Sequence, residues 1–323
     1  MQRDELEGLS AACQTSVVVF AANQLGILSE LCHGPATPSA LAARLRLGVH
    51  GTTAVCDALV SLGLLHRAGD AVELAPDLVS LLDPASPESL SAIFDHHWHI
   101  LQRWVHLDGV VRTGEPLPRQ PQDSSQLRAF ILGMADLARR EAALLWDVAD
   151  LSTHRHLVDV GGGPGELALA ALERWPHLEA SILDRPEVLE IAREYSAPRR
   201  VGGRLGFVPG DALEGAIPAC DAALVSAVFH AYGPEDVALI GRHVAAGLGP
   251  GGLLIVREFM WDDATHSGPA AAGLFAVNML IGTRGGRCYA AEELQGLLAP
   301  AGFGGWRAVR IDPRTTILLG TRV

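Results

Sequence analysis

The strand-like run Leu157-Val158-Asp159-Val160 passes without a spacer into Gly161-Gly162-Gly163-Pro164-Gly165, and helical periodicity then takes over as far as residue 174. A glycine turn between a buried strand and a helix is characteristic of doubly wound α/β sheets, where ligands bind outside the carboxyl ends of the strands. The turn alone does not choose the ligand, but its charge narrows the choice. Asp159 precedes it and Glu166 follows it, and paired carboxylates repel a pyrophosphate and attract a cation. Glu166 also stands at the third small position of the dinucleotide fingerprint G-x-G-x-x-G, where helix and strand must pack closely.

After His154, short apolar runs alternate with helical stretches, the pattern of a parallel sheet covered by helices. Strands are expected at Leu157–Val160, Ala180–Leu183, Leu205–Val208, Ala222–Val225, Leu253–Arg257, Trp306–Ile311 and Thr316–Leu319, with helices over 165–174, 186–195, 234–247 and 290–300. The last two strands are close enough to form a hairpin. The expected fold class is α/β, with a Rossmann-like seven-stranded domain.

Chemistry-bearing residues fall at successive strand ends. Asp184 closes the second strand, where an acid can accept both ribose hydroxyls of a nucleoside. Asp211, in Gly210-Asp211-Ala212 after the third, is placed to accept from an adenine amino group. Each acid alone could be a solvated loop carboxylate, but three motifs in order on three strand ends favour a nucleoside site. S-adenosylmethionine suits an acidic site because it carries a sulfonium and an ammonium. The fourth strand runs into Ser226-Ala227-Val228-Phe229-His230-Ala231-Tyr232, and a histidine there can reach the crevice, an imidazole being the side chain suited to general-base work near neutrality. A lone histidine at a strand end is more often structural. Glu258, at the end of the fifth strand, is available to orient its imidazole.

The N-terminal pattern is helical from Ser10 to Leu82, with Thr37 and Ser39 as caps before Leu41–Leu45, a second helix from Thr52 to Leu62, and two short strands around Gly69-Asp70. This is a winged-helix outline. A DNA-recognition helix needs basic and polar side chains, yet Thr52–Leu62 holds no Arg or Lys, and the formal charge of −12 repels polyphosphate. The domain is therefore expected to pack a dimer and roof an active site, not to bind nucleic acid. Val17, Val18, Val19, Phe20, Ile27 and Leu28 carry more apolar surface than a small domain is expected to bury alone. Residues 88–150 read as a helical connection, broken at Gly114–Pro118 and resumed with Leu127, Phe130, Ile131, Met134 and Leu137 at helical spacing. The expected regions are 1–88 for the winged-helix-like domain, 89–150 for linker and pocket helices, and 151–323 for the catalytic domain.

Val158 to Gly165, Leu183-Asp184-Arg185-Pro186-Glu187-Val188, Gly210-Asp211, His230, Gly251-Gly252 and Ala301-Gly302-Phe303 together resemble the plant caffeate and acetylserotonin O-methyltransferase family with its bacterial natural-product members. The resemblance spans nearly the whole chain, since Gly34 to Leu65 looks like that family's dimerisation domain. It implies S-adenosylmethionine as cofactor, held by Gly161, Asp184, Asp211, Ala212 and Ser226 with Tyr232 near the adenine; Asp159 and Gly163 of the glycine turn join this expected set. It implies Phe130, Met134 and Asn278 at the substrate, His230 as catalytic base and Glu258 as one of its flanking acids. The expected function is O-methylation of a small aromatic or polyketide-like metabolite in secondary metabolism by a cytoplasmic homodimer, without metal, nucleic acid or membrane. C- or N-methylation by the same fold, and a ligand-sensing winged-helix regulator, are the alternatives.

Two residues depart from the family pattern. Ala231 stands where Asp is common, and Gly286-Arg287-Cys288-Tyr289 replaces a Glu-Arg-Thr motif, so the second acid becomes Arg287. Its guanidinium either binds a carboxylate-bearing substrate bidentately or turns to solvent. The cluster Asp95-His96-His97-Trp98-His99, with His106, allows a metal reading, but no carboxylate or cysteine set completes it, so pocket or surface histidines are expected. The cysteines are five, scattered and without a C-x-x-C pair, which suggests reduced packing thiols. The most apolar early run, Val17 to Leu28, is interrupted by Asn23 and Gln24, so no membrane span or signal peptide is expected.

Overall fold

The computed structural model describes residues 2–86, 88–118 and 124–323. The chain divides into two compact units, Met1–Gln102 and Arg103–Val323. The first holds α1 (Arg3–Gln24), α2 (Ile27–Leu31), α3 (Pro38–Leu45), α4 (Val49–Ser61), the hairpin of β1 (Leu65–Ala68) and β2 (Ala71–Leu74), α5 (Val79–Leu82) and most of α6 (Ser91–Trp104). Thr37 caps α3 by accepting from the Ala40 N–H at 3.2 Å, and Pro38 takes a first-turn position where its missing N–H costs nothing. Helix, helix and hairpin enclose a core of Ile27, Leu28, Leu41, Leu59, Leu65 and Val72. Ile27 and Leu28 are therefore consumed by this unit's own core and do not supply free apolar surface. Leu6 and Leu9 of α1 do, at 61% and 59% exposure.

The second unit continues with α7 (Leu107–Thr113) and α8 (Ser124–Val148), then β3 (His156–Val160), α9 (Glu166–Arg174), β4 (Glu179–Asp184), α10 (Pro186–Ser196), β5 (Leu205–Pro209), β6 (Cys220–Ser226), α11 (Pro234–Gly247), β7 (Leu248–Phe259), α12 (Ala270–Gly282), α13 (Ala291–Leu298), β8 (Phe303–Arg310) and β9 (Thr315–Arg322). The seven strands lie in the order β5-β4-β3-β6-β7-β9-β8. Strands β3 to β7 pair in parallel, and β9 joins antiparallel between β7 and β8. Residues alternate between two buried faces, as strand geometry requires. Leu157, Leu224 and Ile255 pack with Trp146 and Leu169, while Val158, Val225 and Val256 pack with Ile240 and Leu294. Burial on both faces is why the strands read as continuous apolar runs.

The order reverses between β3 and β6, where Val160 lies opposite Leu183 on one side and Val225 on the other. This is the topological switch point at which such sheets bind ligands. Among the described residues no helix is long and apolar enough to cross a membrane.

One buried ion pair ties α8 to the sheet. The Arg257 guanidinium on β7 donates to Glu141 Oε2 on α8 from Nε at 2.8 Å and from Nη2 at 2.5 Å, and Nη1 reaches Ser226 Oγ at 3.2 Å. Both residues are buried. Glu141→Ala should therefore cost about 3–5 kcal/mol of stability, because it strands an unpaired guanidinium in the interior. Urea denaturation checks this; a loss under about 1 kcal/mol, typical of an exposed pair, would contradict it.

Candidate active site

Gly161, Gly163 and Gly165 all adopt positive φ, at 65°, 56° and 80°, which glycine alone adopts without strain. A side chain on Gly161 would meet Val228, one on Gly162 would meet the Asp159 carboxyl, and one on Gly165 would strike Ile182. At Gly163 an added Cβ meets nothing within 4 Å. The turn is thus backed closely by protein at three glycines and open at the fourth, leaving room for a ligand against the backbone. Gly161 N–H donates to the Leu183 carbonyl at 2.7 Å and Gly163 N–H to Asp184 Oδ2 at 2.9 Å, fastening the turn to β4.

Asp159 lies beneath this turn, only 2% exposed, with Oδ1 lacking a hydrogen-bond partner among the described residues. Burial first, and the charge of Asp184 second, push its carboxyl up to about 7. Burial also raises Asp184, opposed by the N–H groups of Arg185 and Gly163. Two acids held above their ordinary range, one with an unsatisfied oxygen, fit a cationic ligand and oppose a pyrophosphate. These residues therefore suit S-adenosylmethionine. Glu166, the other acid beside the glycines in sequence, serves a different purpose. It is buried and accepts from the Tyr195 hydroxyl at 2.7 Å and Arg199 Nη1 at 2.9 Å, so its charge is matched away from the turn.

Beyond Asp184 a cleft of about 380 Å³ is lined by Leu183, Val208, Gly210, Asp211 and Ile217. Asp211 Oδ1 accepts from the Leu213 N–H at 2.9 Å, and the carbonyl of buried Ala212 accepts from His243 Nδ1 at 2.7 Å. The loop that would flank a base is thereby fixed at both residues expected there.

At the end of β6, Ser226 leads into Ala227, a non-glycine residue at φ 57°. Its left-handed turn sends the chain into the short helix Phe229–Ala231, which carries His230. His230 Nδ1 lies 2.7 Å from Glu258 Oε2, and the His230 backbone N–H lies 3.4 Å from Oε1. Both side chains are enclosed, at 13% and 3% exposure. Phe275 of α12 stands edge to face with the imidazole, centroids 4.7 Å apart. Gly286 packs so tightly that a Cβ there would lie 2.5 Å from the His230 carbonyl oxygen, which also accepts the Arg287 N–H at 2.9 Å. Arg287 thus braces the His230 turn through its backbone while its side chain is exposed.

The remaining expected residues lie on the surrounding elements. Tyr232 is half-buried, and its carbonyl accepts the Tyr289 hydroxyl at 2.8 Å. Asn278 accepts from Trp104 Nε1 at 3.0 Å. Phe130 packs in a cluster with Val188 and Ile191 of α10, and Met134 is half-buried one turn further along α8. In the first unit, burial and the neighbouring histidines push His96 down to about 4, and Asp95 accepts from Asn23 and Gln24 at 2.6 Å each. No group of three metal-binding side chains occurs among the described residues. Phe275 and Trp104 carry no motif in the sequence, one being a Phe in an apolar run and the other an isolated Trp.

An O-methyltransferase domain model matches residues 113–304, and an O-methyltransferase dimerisation domain model matches residues 9–78. Mitomycin biosynthesis 6-O-methyltransferase from Streptomyces lavendulae is 30% identical over 88% of this chain and 84% of its own. Acetylserotonin O-methyltransferase from Bos taurus is 30% identical, with 89% and 88% covered. A crystal structure of human N-acetylserotonin methyltransferase in complex with SAM superposes with a TM-score of 0.90 at 24% identity, over 100% of this chain and 98% of that one, which establishes the shared fold. The chain belongs to the O-methyltransferase family and is an S-adenosylmethionine-dependent methyltransferase.

The raised Asp159 fixes a direction for stability against pH. Its folded pKa of about 7 exceeds the ordinary 3.8, so the folded protein holds a proton that the unfolded chain releases. This contribution to stability is complete below the unfolded value and is lost as pH rises through about 7. Thermal melts without cofactor should show the wild type losing stability relative to Asp159→Asn between about pH 5 and pH 8. Parallel curves for the two proteins would refute the assignment.

Proposed function

We propose that the protein transfers a methyl group to a hydroxyl of a small aromatic or polyketide-like metabolite, with His230 as general base, and that it works as a homodimer. The observation that carries this reading is the 2.7 Å hydrogen bond from His230 Nδ1 to Glu258. A carboxylate only accepts, so Nδ1 holds the proton and Nε2 is the basic nitrogen. Nε2 has no hydrogen-bond partner among the described residues. Hydroxyl acceptors are supported by relatives named for O-methylation. The dimer is supported by the dimerisation match over 9–78 and by the exposed Leu6 and Leu9 of α1.

When bound, S-adenosylmethionine supplies a methyl carbon made electrophilic by its sulfonium. The residues assigned to hold it are Gly161 and Gly163, with Asp159 offsetting its positive charge, Asp184 at the ribose, Asp211, Ala212 and Tyr232 around the base, and Ser226 at the end of β6. His230 Nε2 takes the proton of the acceptor hydroxyl as the oxygen becomes nucleophilic, and Glu258 stabilises the imidazolium that forms. Phe275 packs edge to face against the imidazole.

His230→Ala and His230→Gln should each lower turnover by roughly 10²–10⁴-fold with cofactor affinity nearly unchanged. Activity should partly recover at high pH, as a phenol with a pKa of about 10 ionises unaided. Steady-state kinetics with an identified acceptor, together with calorimetry for S-adenosylhomocysteine, tests this. Near-normal turnover of His230→Ala at neutral pH would overturn the base assignment.

A further inference from the structure

Asn278 and Trp104 meet through a hydrogen bond whose polarity is fixed by chemistry. An indole N–H can only donate, so the Asn278 atom facing Trp104 Nε1 at 3.0 Å must be the amide oxygen. An asparagine amide is otherwise ambiguous, since its oxygen and nitrogen exchange places by a flip. Here a flip would set two donors against each other. Trp104 is not free to move aside either. The adjacent Arg103 donates from Nη2 to the carbonyls of Ile281 and Leu117, at 3.2 and 3.4 Å, tying the end of α6 to the last turn of α12.

What remains of Asn278 is its NH₂ group, which has no hydrogen-bond partner among the described residues. Asn278 follows Phe275 by three residues on α12 and so shares its face, one turn along. Phe275 is the ring set against the His230 imidazole, at a centroid distance of 4.7 Å. Phe275, set against the basic imidazole, and Asn278, carrying the amide donor, therefore share one face of α12.

We propose that Trp104 locks Asn278 as a hydrogen-bond donor, so that the site selects a hydroxyarene with a carbonyl oxygen beside the hydroxyl to be methylated. The proposal rests on the O-methylation reading. The hydroxyl donates to His230 Nε2 while the neighbouring carbonyl accepts from Asn278. An analogue with CH₂ in place of the carbonyl leaves the donor unpaired, and sites built around a hydrogen bond reject such analogues.

The probes are 7-hydroxy-1-indanone and 4-indanol, which differ only by C=O against CH₂ beside the ring carbon next to the hydroxyl-bearing one. Affinities for protein saturated with S-adenosylhomocysteine, and methylation rates with S-adenosylmethionine, are measured for the wild type, Asn278→Asp and Trp104→Phe. At about pH 8 an aspartate here is ionised; it keeps an oxygen for Trp104 and replaces the donor with an acceptor. Unchanged S-adenosylhomocysteine affinity shows that each variant is folded.

The wild type should bind the ketone roughly 3- to 10-fold more tightly than 4-indanol, the range for one neutral hydrogen bond. Asn278→Asp should lose that preference, with 4-indanol binding little changed. Trp104→Phe frees the amide to turn and should bring the ratio toward one. Equal wild-type affinities, failure of the ketone to bind, or an unchanged ratio in both variants overturns the proposal. Equal methylation of both compounds, abolished by His230→Ala, would remove this assignment and leave O-methylation standing. Preference for the ketone without methyl transfer to either compound would do the reverse.

Discussion

Strands β3 and β6 end level, with Val160 opposite Val225, and the chain leaves their ends toward opposite flanks of the sheet. The chemistry of the protein depends on this divergence. On one flank the glycine turn must fold back without side chains, because Asp159, Ile182 and Val228 fill the space where they would lie. On the other, Ala227 accepts a left-handed conformation to carry His230 across the end of the sheet. Strand β7 then supports both. Successive residues of a strand point to opposite faces, so Arg257 reaches back to Glu141 and Ser226 while Glu258 turns to His230. Two buried charges in adjacent positions are each matched by a partner, one holding α8 and one orienting the imidazole.

Electrostatics at the glycine turn complement this scaffold. A buried carboxylate usually secures donors for both oxygens, yet Asp159 keeps one unsatisfied and is raised to about 7. A cation at the turn would favour its ionised form. The nearby Arg185 lowers Asp184 without cancelling the rise that burial causes, since it is half exposed and engaged with Glu187 at 3.3 Å. Glu166 shows the opposite solution within the same stretch of chain, with Tyr195 and Arg199 supplying what it needs. One acid is matched within the protein, and the other keeps an oxygen without a partner among the described residues.

Much of this was legible in the sequence because strands buried on both faces must be apolar throughout, and because the glycines and acids at their ends break those apolar runs. All seven expected strands are present, although β7 begins at Leu248 and not Leu253. Helix α12 was not foreseen. Its sequence, Ala270 to Gly282, is apolar almost without interruption, so no polar residues mark a period of 3.6. With it went Phe275 and the setting of Asn278. Glu166 was misread for a different reason: spacing places a residue at a helix start but does not say which way its side chain turns. Ile27 and Leu28 were expected at a dimer surface because the size of a core cannot be judged from an apolar run, and the unit's own core contains them.

Through its 2.7 Å contact with Nδ1, Glu258 holds His230 in the tautomer that leaves Nε2 basic. The ¹⁵N spectrum of the imidazole, in protein saturated with S-adenosylhomocysteine at alkaline pH, reports this directly. A protonated Nδ1 and an unprotonated Nε2 are expected for His230, with the Nδ1 proton signal lost or shifted in Glu258→Gln. A proton on Nε2 in the wild type, with Nδ1 bare, would contradict it.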